Sequence, residues 1–342
     1  MRVILDAMGS DKGAREFVKG ALLAVEELDI EIKLVGREEE LNGLLEEEGE
    51  NCEYKWKISI VNASEVVDMN DDPVKVMKEK PDSSMTVALR LLANGEGDAL
   101  VSAGNTGALL TQSTLILKRI KGVRRAALAP VIPTGEGFAL LIDSGANVEC
   151  TPEYLLQFGL MGAFYAEHAL GVVSPRVGLL NNGAEEHKGD PLHREAYQLL
   201  KKAGEDGLIN FIGNVEGRDV PLGKADVVVA DGFSGNVFLK TFEGLGLAFA
   251  KELKKIFMIS RRAKLSAFMV RNGIREFRRK FDYNEAGGAP LLGVRMPVIK
   301  THGSTSSVAL CNSIVQAVDY VNSGMTIKIA QSFSGGEEEN GE

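Results

Sequence analysis

Short apolar runs that end at small polar turns recur along the whole chain: RVILD at 2–6, DALVS at 98–102, FALLID at 138–143, VGLLN at 177–181, DVVVAD at 226–231 and VIKTH at 298–302. Each has the length of a strand buried on both faces, where the usual apolar–polar alternation is lost. The turns that follow, AMGSDKG, AGNTGA, SGAN, NGAEEHKG, GFSGN and GSTSS, are rich in Gly, Asn, Ser and Asp. Beyond most of them apolar residues return at three-and-four spacing, which predicts helices near 14–28, 85–94, 105–119, 152–170, 190–203, 235–259 and 304–322. Weaker strands are predicted at 32–35, 58–61 and 209–212, and the acidic stretch 38–50 reads as a solvated helix. This alternation predicts an α/β fold, a three-layer doubly wound sheet with its turns gathered at the carboxyl edge. Such a rim offers backbone N–H groups and helix N-termini to an anion, so phosphate handling is the first expectation.

Composition sets the limits of that picture. With 342 residues, 44% hydrophobic and 25% charged, the chain can bury a large core. No internal repeat or Pro/Ser-rich linker divides it, so residues 1–330 are expected to form one α/β unit of one or two lobes. Residues 331–342, which include GGEEENGE, are expected to be a disordered acidic tail. A net charge of -9 argues against general nucleic-acid binding. Cys52, Cys150 and Cys311 show no metal-ligand spacing, so a reducing, cytoplasmic setting without structural disulfides or a metal site is expected. The start at RVILD leaves no room for a signal peptide, and no run approaches the ~20 apolar residues of a spanning helix, so the chain is expected to be neither secreted nor integral.

The turns supply the candidate chemistry. Asp6, Gly9, Asp11 and Gly13 follow the first run, where Gly permits close backbone approach to a ligand, but the pattern is not the GxGxxG of a dinucleotide site. Gly104, Asn105, Thr106 and Gly107 place amide and hydroxyl groups at a helix start, and Asn147 closes the SGAN turn. Asn181, Gly183 and Lys188 share the longest turn, in which an ammonium beside a helix N-terminus would favour an oxyanion. Asp231, Gly232, Asn236 and Lys240 repeat the theme, the last two spaced four apart on one helix face. His302 follows a strand and is the histidine to watch for proton transfer. Each of these groups has an alternative reading as an ordinary helix cap or surface charge.

Between Lys251 and Lys280 eleven Lys or Arg residues stand against Glu252 and Glu276, about +9 by counting, inside a chain of -9. Leu253, Ile256, Phe257, Leu265, Phe268, Met269, Val270, Ile274, Phe277 and Phe281 keep helical spacing, which predicts a protruding basic amphipathic hairpin over 246–282 that breaks near residues 259–261. Such a hairpin can lie on an anionic membrane or attract an acidic carrier protein, through Leu265, Phe268, Met269, Arg261, Arg262 and Lys264, or pack its apolar face within the protein.

Taken in order, DAMGSD, SAGNTGA, DSGAN, LLNNGAEEHKG, NVEGRD, ADVVVADGFSGNVFLKTFEG, GGAPLLGV and KTHGS resemble the motif series of the PlsX family of phosphate acyltransferases, from residue 1 to about 325. The departures are small: Ser10 stands where the family tends to have Gly, and Arg295-Met296-Pro297 replaces a Gly-containing linker. The resemblance implies a fold like that of the isocitrate and isopropylmalate dehydrogenases and of phosphotransacetylase. It also implies a homodimer without a cofactor, and peripheral attachment to the inner face of the cell membrane. The implied reaction moves a long acyl chain from acyl carrier protein to inorganic phosphate. Phosphate is itself a nucleophile, so such chemistry needs positioning and charge rather than an enzyme Ser or Cys. On that reading Lys188 and the amides of turns 104–107 and 145–147 hold phosphate, while Asn236, Lys240 or His302 stabilises the oxyanion or protonates the thiolate. A phosphotransacetylase using acyl-coenzyme A stands close to this reading. A dehydrogenase of the same fold is disfavoured because no Asp follows Asp231 four residues on. A non-catalytic membrane scaffold is disfavoured by the density of polar turns.

Overall fold

A computed structural model describes residues 1–273 and 287–334. The expected strands and helices form, in the α/β alternation anticipated from the sequence, but the described strands divide between two sheets. The first is seven-stranded, in the order β3-β2-β1-β4-β12-β11-β5. Its strands are β1 (Arg2–Asp6), β2 (Glu31–Gly36), β3 (Ile58–Asn62), β4 (Ala99–Ser102), β5 (Ala127–Leu128), β11 (Ala289–Leu292) and β12 (Val298–Lys300). The second is five-stranded, in the order β6-β7-β10-β8-β9. It contains β6 (Val131–Thr134), β7 (Gly137–Ile142), β8 (Arg176–Asn181), β9 (Asn210–Glu216) and β10 (Val227–Val229). The apolar runs all enter parallel pairings, while β5, β6 and β11 are the antiparallel strands that the sequence pattern did not reveal.

Double burial explains the apolar runs. Val3, Ile4 and Leu5 of β1 and Val227, Val228 and Val229 of β10 are fully buried because helices cover both faces of each sheet. Helix α1 (Ala14–Glu27) packs Phe17, Val18 and Ala21 inward against the helix Ser307–Asn322, whose Leu310 fills the space beside Gly20. Helix α4 (Ser84–Ala93) covers the opposite face of the first sheet, and α6 (Pro152–His168) and α7 (Pro191–Glu205) cover the second.

Helix α8 (Gly232–Met258) starts at the carboxyl end of β10 and is far longer than one sheet layer requires. Gly235 in its first turn sits so close to the Asp143 carbonyl that a Cβ there would lie 1.9 Å from the oxygen. The helix leaves the body near Gly244 and Gly246, around which there is open space. It ends before Ser260, whose side chain caps α9 (Arg261–Met269), so the expected break is where the sequence places it. The rest of the expected hairpin, including Ile274, Phe277 and Phe281, falls outside the described residues. At the C-terminus the helix Met325–Ser334 extends into the expected tail, because Phe333 finds a seat against Gly122; residues 335–342 are likewise outside the described residues.

Candidate active site

Three strand ends of the first sheet converge on Asp6. Its buried carboxylate accepts hydrogen bonds from Ser84 Oγ at 2.6 Å and Ser102 Oγ at 2.7 Å. Burial pushes its pKa up, against the pull of both hydroxyls and of the Lys300 charge. The turns above it touch through backbone: a Cβ on Gly9 would lie 2.5 Å from Gly104 Cα, and Asp11 N–H donates to the Gly303 carbonyl at 2.8 Å. Gly303 has no room for a side chain, since a Cβ there would lie 2.6 Å from the Asp11 carboxylate.

In the second sheet Asp143 plays the corresponding part. Its carboxylate accepts from the N–H groups of Leu128, Ser144 and Asn147 and from Asn147 Nδ2. The Asn147 carbonyl then receives Gly232 N–H at 2.8 Å, which fixes the N-terminus of α8. Asp231 caps that helix by accepting from Phe233 and Ser234 N–H at 3.0 and 2.9 Å. Gly145, with φ of 131°, passes so near Asn236 that an added Cβ would meet its Nδ2 at 2.9 Å. Gly232, Phe233, Asn236, Val237 and Lys240 of α8, with Val148 opposite, line a cavity of about 310 Å³.

Lys240, which lines this cavity, Lys300 and His302 lie close enough for their charges to act on one another. The Lys240 ammonium pairs with Glu243 at 2.9 Å, and its charge depresses the pKa of both Lys300 and His302. Lys300 Nζ donates to the Ala103 carbonyl at 3.2 Å and to the Thr301 carbonyl. Burial pushes Lys300 down to about 8; Asp6 and Asp11 oppose that shift and Lys240 adds to it. Burial, then Lys240 and Lys300, also lowers His302. Its Nδ1 accepts from Ser304 N–H at 3.1 Å, so the neutral ring carries its proton on Nε2.

The sequence candidates therefore separate into two groups. Asn236, Lys240 and Gly232 line the cavity, and His302 and Asp6 are linked to it through Lys240 and Lys300. Asn105, Asn147, Asn181 and Asp231 spend their side chains on the turns themselves. Asn105 caps α5 (Thr106–Ile116) and donates to the Asp68 and Met69 carbonyls, and Asn181 donates to Asn214 and to the Lys188 carbonyl. Gly107 packs on Pro73, and Thr106 is exposed. Lys188 is exposed, its stem lying over Gly183, on a turn that borders the α8 start through His193, which reaches Asp190 at 2.7 Å and Asp231 at 3.7 Å. Lys300 was missed as a candidate because a Lys closing the short run Val298-Ile299 reads as a strand leaving the core. The available signal was its place directly before the Thr-His-Gly turn.

Fold and rim together define a protein of the doubly wound α/β class, with polar turns and helix N-termini gathered at the carboxyl edge of its strands. Among solved structures, a phosphotransacetylase from Streptococcus pyogenes is similar with a TM-score of 0.65 at 18% identity, covering 94% of each chain. The EutD phosphotransacetylase from Staphylococcus aureus follows at 0.61 and 15%, again covering 94% of each chain; these likenesses show the fold. The family described as fatty acid synthesis protein matches residues 1–328. Curated relatives called phosphate acyltransferase include one from Caldanaerobacter subterraneus, 45% identical over 97% of both chains. Another, from Desulfitobacterium hafniense, is 47% identical over 97% of this chain and 98% of its own. The chain belongs to the PlsX family of phosphate acyltransferases, as its motif series indicated.

The Gly145–Asn236 contact yields a direct test. Gly145→Ala is expected to lower kcat/KM by roughly 10- to 100-fold through displacement of Asn236, and at φ of 131° to cost more than about 1 kcal/mol of stability. Steady-state kinetics beside thermal melts check this; wild-type turnover by the folded variant would remove Asn236 from the machinery.

Proposed function

We propose that the protein transfers a long acyl chain from the thioester of acyl carrier protein to inorganic phosphate, in a single displacement at the junction of the two sheets. The observation that carries this reading is the cluster of Lys240, Lys300 and His302 beside the α8 N-terminus and its cavity. Two ammonium groups and the positive end of a helix suit a phosphate anion, and Lys188, exposed on the turn that borders the α8 start, is assigned as a further cation for it. Cys150 is the nearby thiol, but it donates to the Asn147 carbonyl at 3.3 Å and burial pushes its pKa up to about 11. Held as a thiol, it is a poor nucleophile. Phosphate itself attacks the thioester carbonyl.

In that displacement an oxygen of hydrogen phosphate bonds to the carbonyl carbon, the carbon–sulfur bond breaks, and the proton released by phosphate balances the one gained by the thiolate. Asn236 Nδ2 and His302 Nε2–H are the donors assigned to the oxyanion. Lys300 is assigned as the proton donor to sulfur: with a pKa of about 8 it is close to an ordinary thiol at ~8.5. Two of its three N–H donors are committed to carbonyls, leaving one for the reaction.

We extend the proposal to peripheral attachment. Phe249, Ile256, Ile259, Leu265, Phe268 and Met269 are all more than half exposed on α8 and α9, among the Lys and Arg residues that give this segment its charge. No helix among the described residues is long and apolar enough to cross a membrane. An exposed apolar ridge with basic flanks suits the interface of an anionic bilayer, each engaged basic side chain contributing on the order of 1 kcal/mol.

Thiol release from palmitoyl-acyl carrier protein is expected to require inorganic phosphate and to yield a product that hydroxylamine traps as hydroxamate. Release of equal rate without phosphate would overturn the reaction assigned. Because Lys300 loses its proton as pH rises through about 8, kcat/KM should fall on the alkaline side with that apparent pKa. Lys300→Arg keeps the charge but cannot give up a proton in this range, so it is expected to lower kcat/KM by roughly 100-fold or more and to lose that alkaline limb; full activity in the folded variant would exclude Lys300 as the acid. A wild-type profile flat between about pH 7 and about pH 9.5 would exclude Lys300 as the acid. For the hairpin, the Phe268→Glu/Met269→Glu double variant is expected to sediment with anionic vesicles less than the wild type and to keep its activity in solution. Equal sedimentation would argue that the ridge serves another contact.

A further inference from the structure

A second cavity, of about 540 Å³, lies outside the site described above and is lined by Arg119, Gly122, Val123, Arg124, Arg125 and Tyr154. Its basic character comes from one short stretch, KRIKGVRR at 118–125, between α5 and β5. All three arginines are exposed, and none has an ion-pair partner among the described residues. Two hydrogen bonds from Gln157 hold the stretch in place: Gln157 Oε1 accepts from Arg124 N–H at 2.8 Å, and Gln157 Nε2 donates to the Gly122 carbonyl at 2.9 Å. Arg119 donates to the Arg124 carbonyl, and Arg125 lies over the Tyr154 ring at 5.6 Å. Glu153 is the neighbouring carboxylate. It is occupied by the Thr151 hydroxyl at 2.6 Å, with the Arg124 charge contributing to its lowered pKa.

The position of this cavity matters as much as its charge. Asn147 Nδ2 donates to the Ala126 carbonyl at 2.8 Å. Val148, which lines the site cavity, and Arg125, which lines the arginine cavity, each stand one residue from that bond, so their Cα atoms are within roughly 15 Å. A ligand that spans the two cavities needs an anionic end, an extended polar middle and a reacting end. Planar guanidinium forks gathered at one open pocket suit a phosphate ester better than a diffuse acidic surface.

We propose that the arginine cavity receives the phosphate ester at the far end of a pantetheine-linked acyl donor, whose thioester end lies in the cavity between Val148 and Lys240. The proposal rests on the acyl-transfer reading and names the feature of the donor that is recognised. Carrier protein and coenzyme A share that phosphate, so the cavity reads the arm rather than the body that carries it.

Calorimetry on the full-length protein tests this without turnover. Wild type is expected to bind 4′-phosphopantetheine at least about tenfold more tightly than pantetheine, and the Arg124→Ala/Arg125→Ala variant to lose that preference. Equal affinity of the wild type for the two compounds would overturn the proposal, as would an unchanged preference in the folded variant. In steady state the variant should raise KM for palmitoyl-carrier and palmitoyl-coenzyme A alike and leave KM for inorganic phosphate unaltered. A rise with the carrier alone would mean that the arginines meet acidic side chains of that protein, against the proposal. A wild type that prefers phosphopantetheine yet releases no thiol from any donor would support the cavity and count against acyl transfer, so the two readings fail separately. Arg119→Ala, which leaves the Arg125–Tyr154 contact in place, gives a second variant should the double substitution unfold.

Discussion

The Asp143 carboxylate is the interaction on which both sheets and both cavities depend. A buried carboxylate is costly unless donors surround it, and here three backbone N–H groups and an amide do so. One donor, Leu128, belongs to β5 of the first sheet, whereas Asp143 directly follows β7 of the second. The bond therefore joins the sheets at the rim where their turns gather. Through Asn147 the same group fixes the Gly232 N–H that opens α8 and the Ala126 carbonyl next in the chain to Arg125. Burial raises the Asp143 pKa, chiefly against the pull of the Leu128 and Asn147 donors, so the geometry rather than solvent keeps it in place.

Much of this was legible in the sequence, for a physical reason. A strand covered on both faces must be apolar throughout, so β1, β4, β7, β8, β10 and β12 announced themselves, and the Gly and Asn turns marked their carboxyl ends. The division into two sheets was not legible. It depends on β5, β6 and β11, antiparallel strands of only two to four residues, two of them containing Pro, too short to show a period. The site was half legible for a related reason. Asn105 and Asp231 are the residues that cap helices and also the residues that bind ligands, and only coordinates show that their oxygens are already committed to N–H groups. Lys300 is the converse case: its perturbed environment arises first from burial and then from the charges of Asp6, Asp11 and Lys240, all set by residues far away in the sequence.

Helix α8 connects chemistry to surface. Its first turn is held by Asn147 and capped by Asp231, its second and third turns present Asn236 and Lys240 to the cavity, and its later turns stand in solvent with apolar and basic side chains exposed. The charge segregation has a consequence for the rest of the molecule. With about +9 in the 251–280 window and -9 in total, the remaining chain carries about -18 by subtraction. An anionic partner or surface is therefore repelled by most of the protein and attracted at this segment and at the arginine cavity, a distribution that orients an encounter before any contact forms.

The same electrostatics bears on the proposed reaction. Burial is the main cost of the Lys300 charge and Lys240 adds to it, and against the pull of Asp6 and Asp11 they leave its pKa at about 8. In the proposed displacement a phosphate dianion bound beside Lys300 would reverse the balance, because an opposite charge at close range favours the ammonium form. On that reading Lys300 would be more firmly protonated while phosphate is bound and would pass its proton on as charge moves onto the departing sulfur. The buried lysine would then be poised by its own substrate, holding its proton until the leaving group requires it.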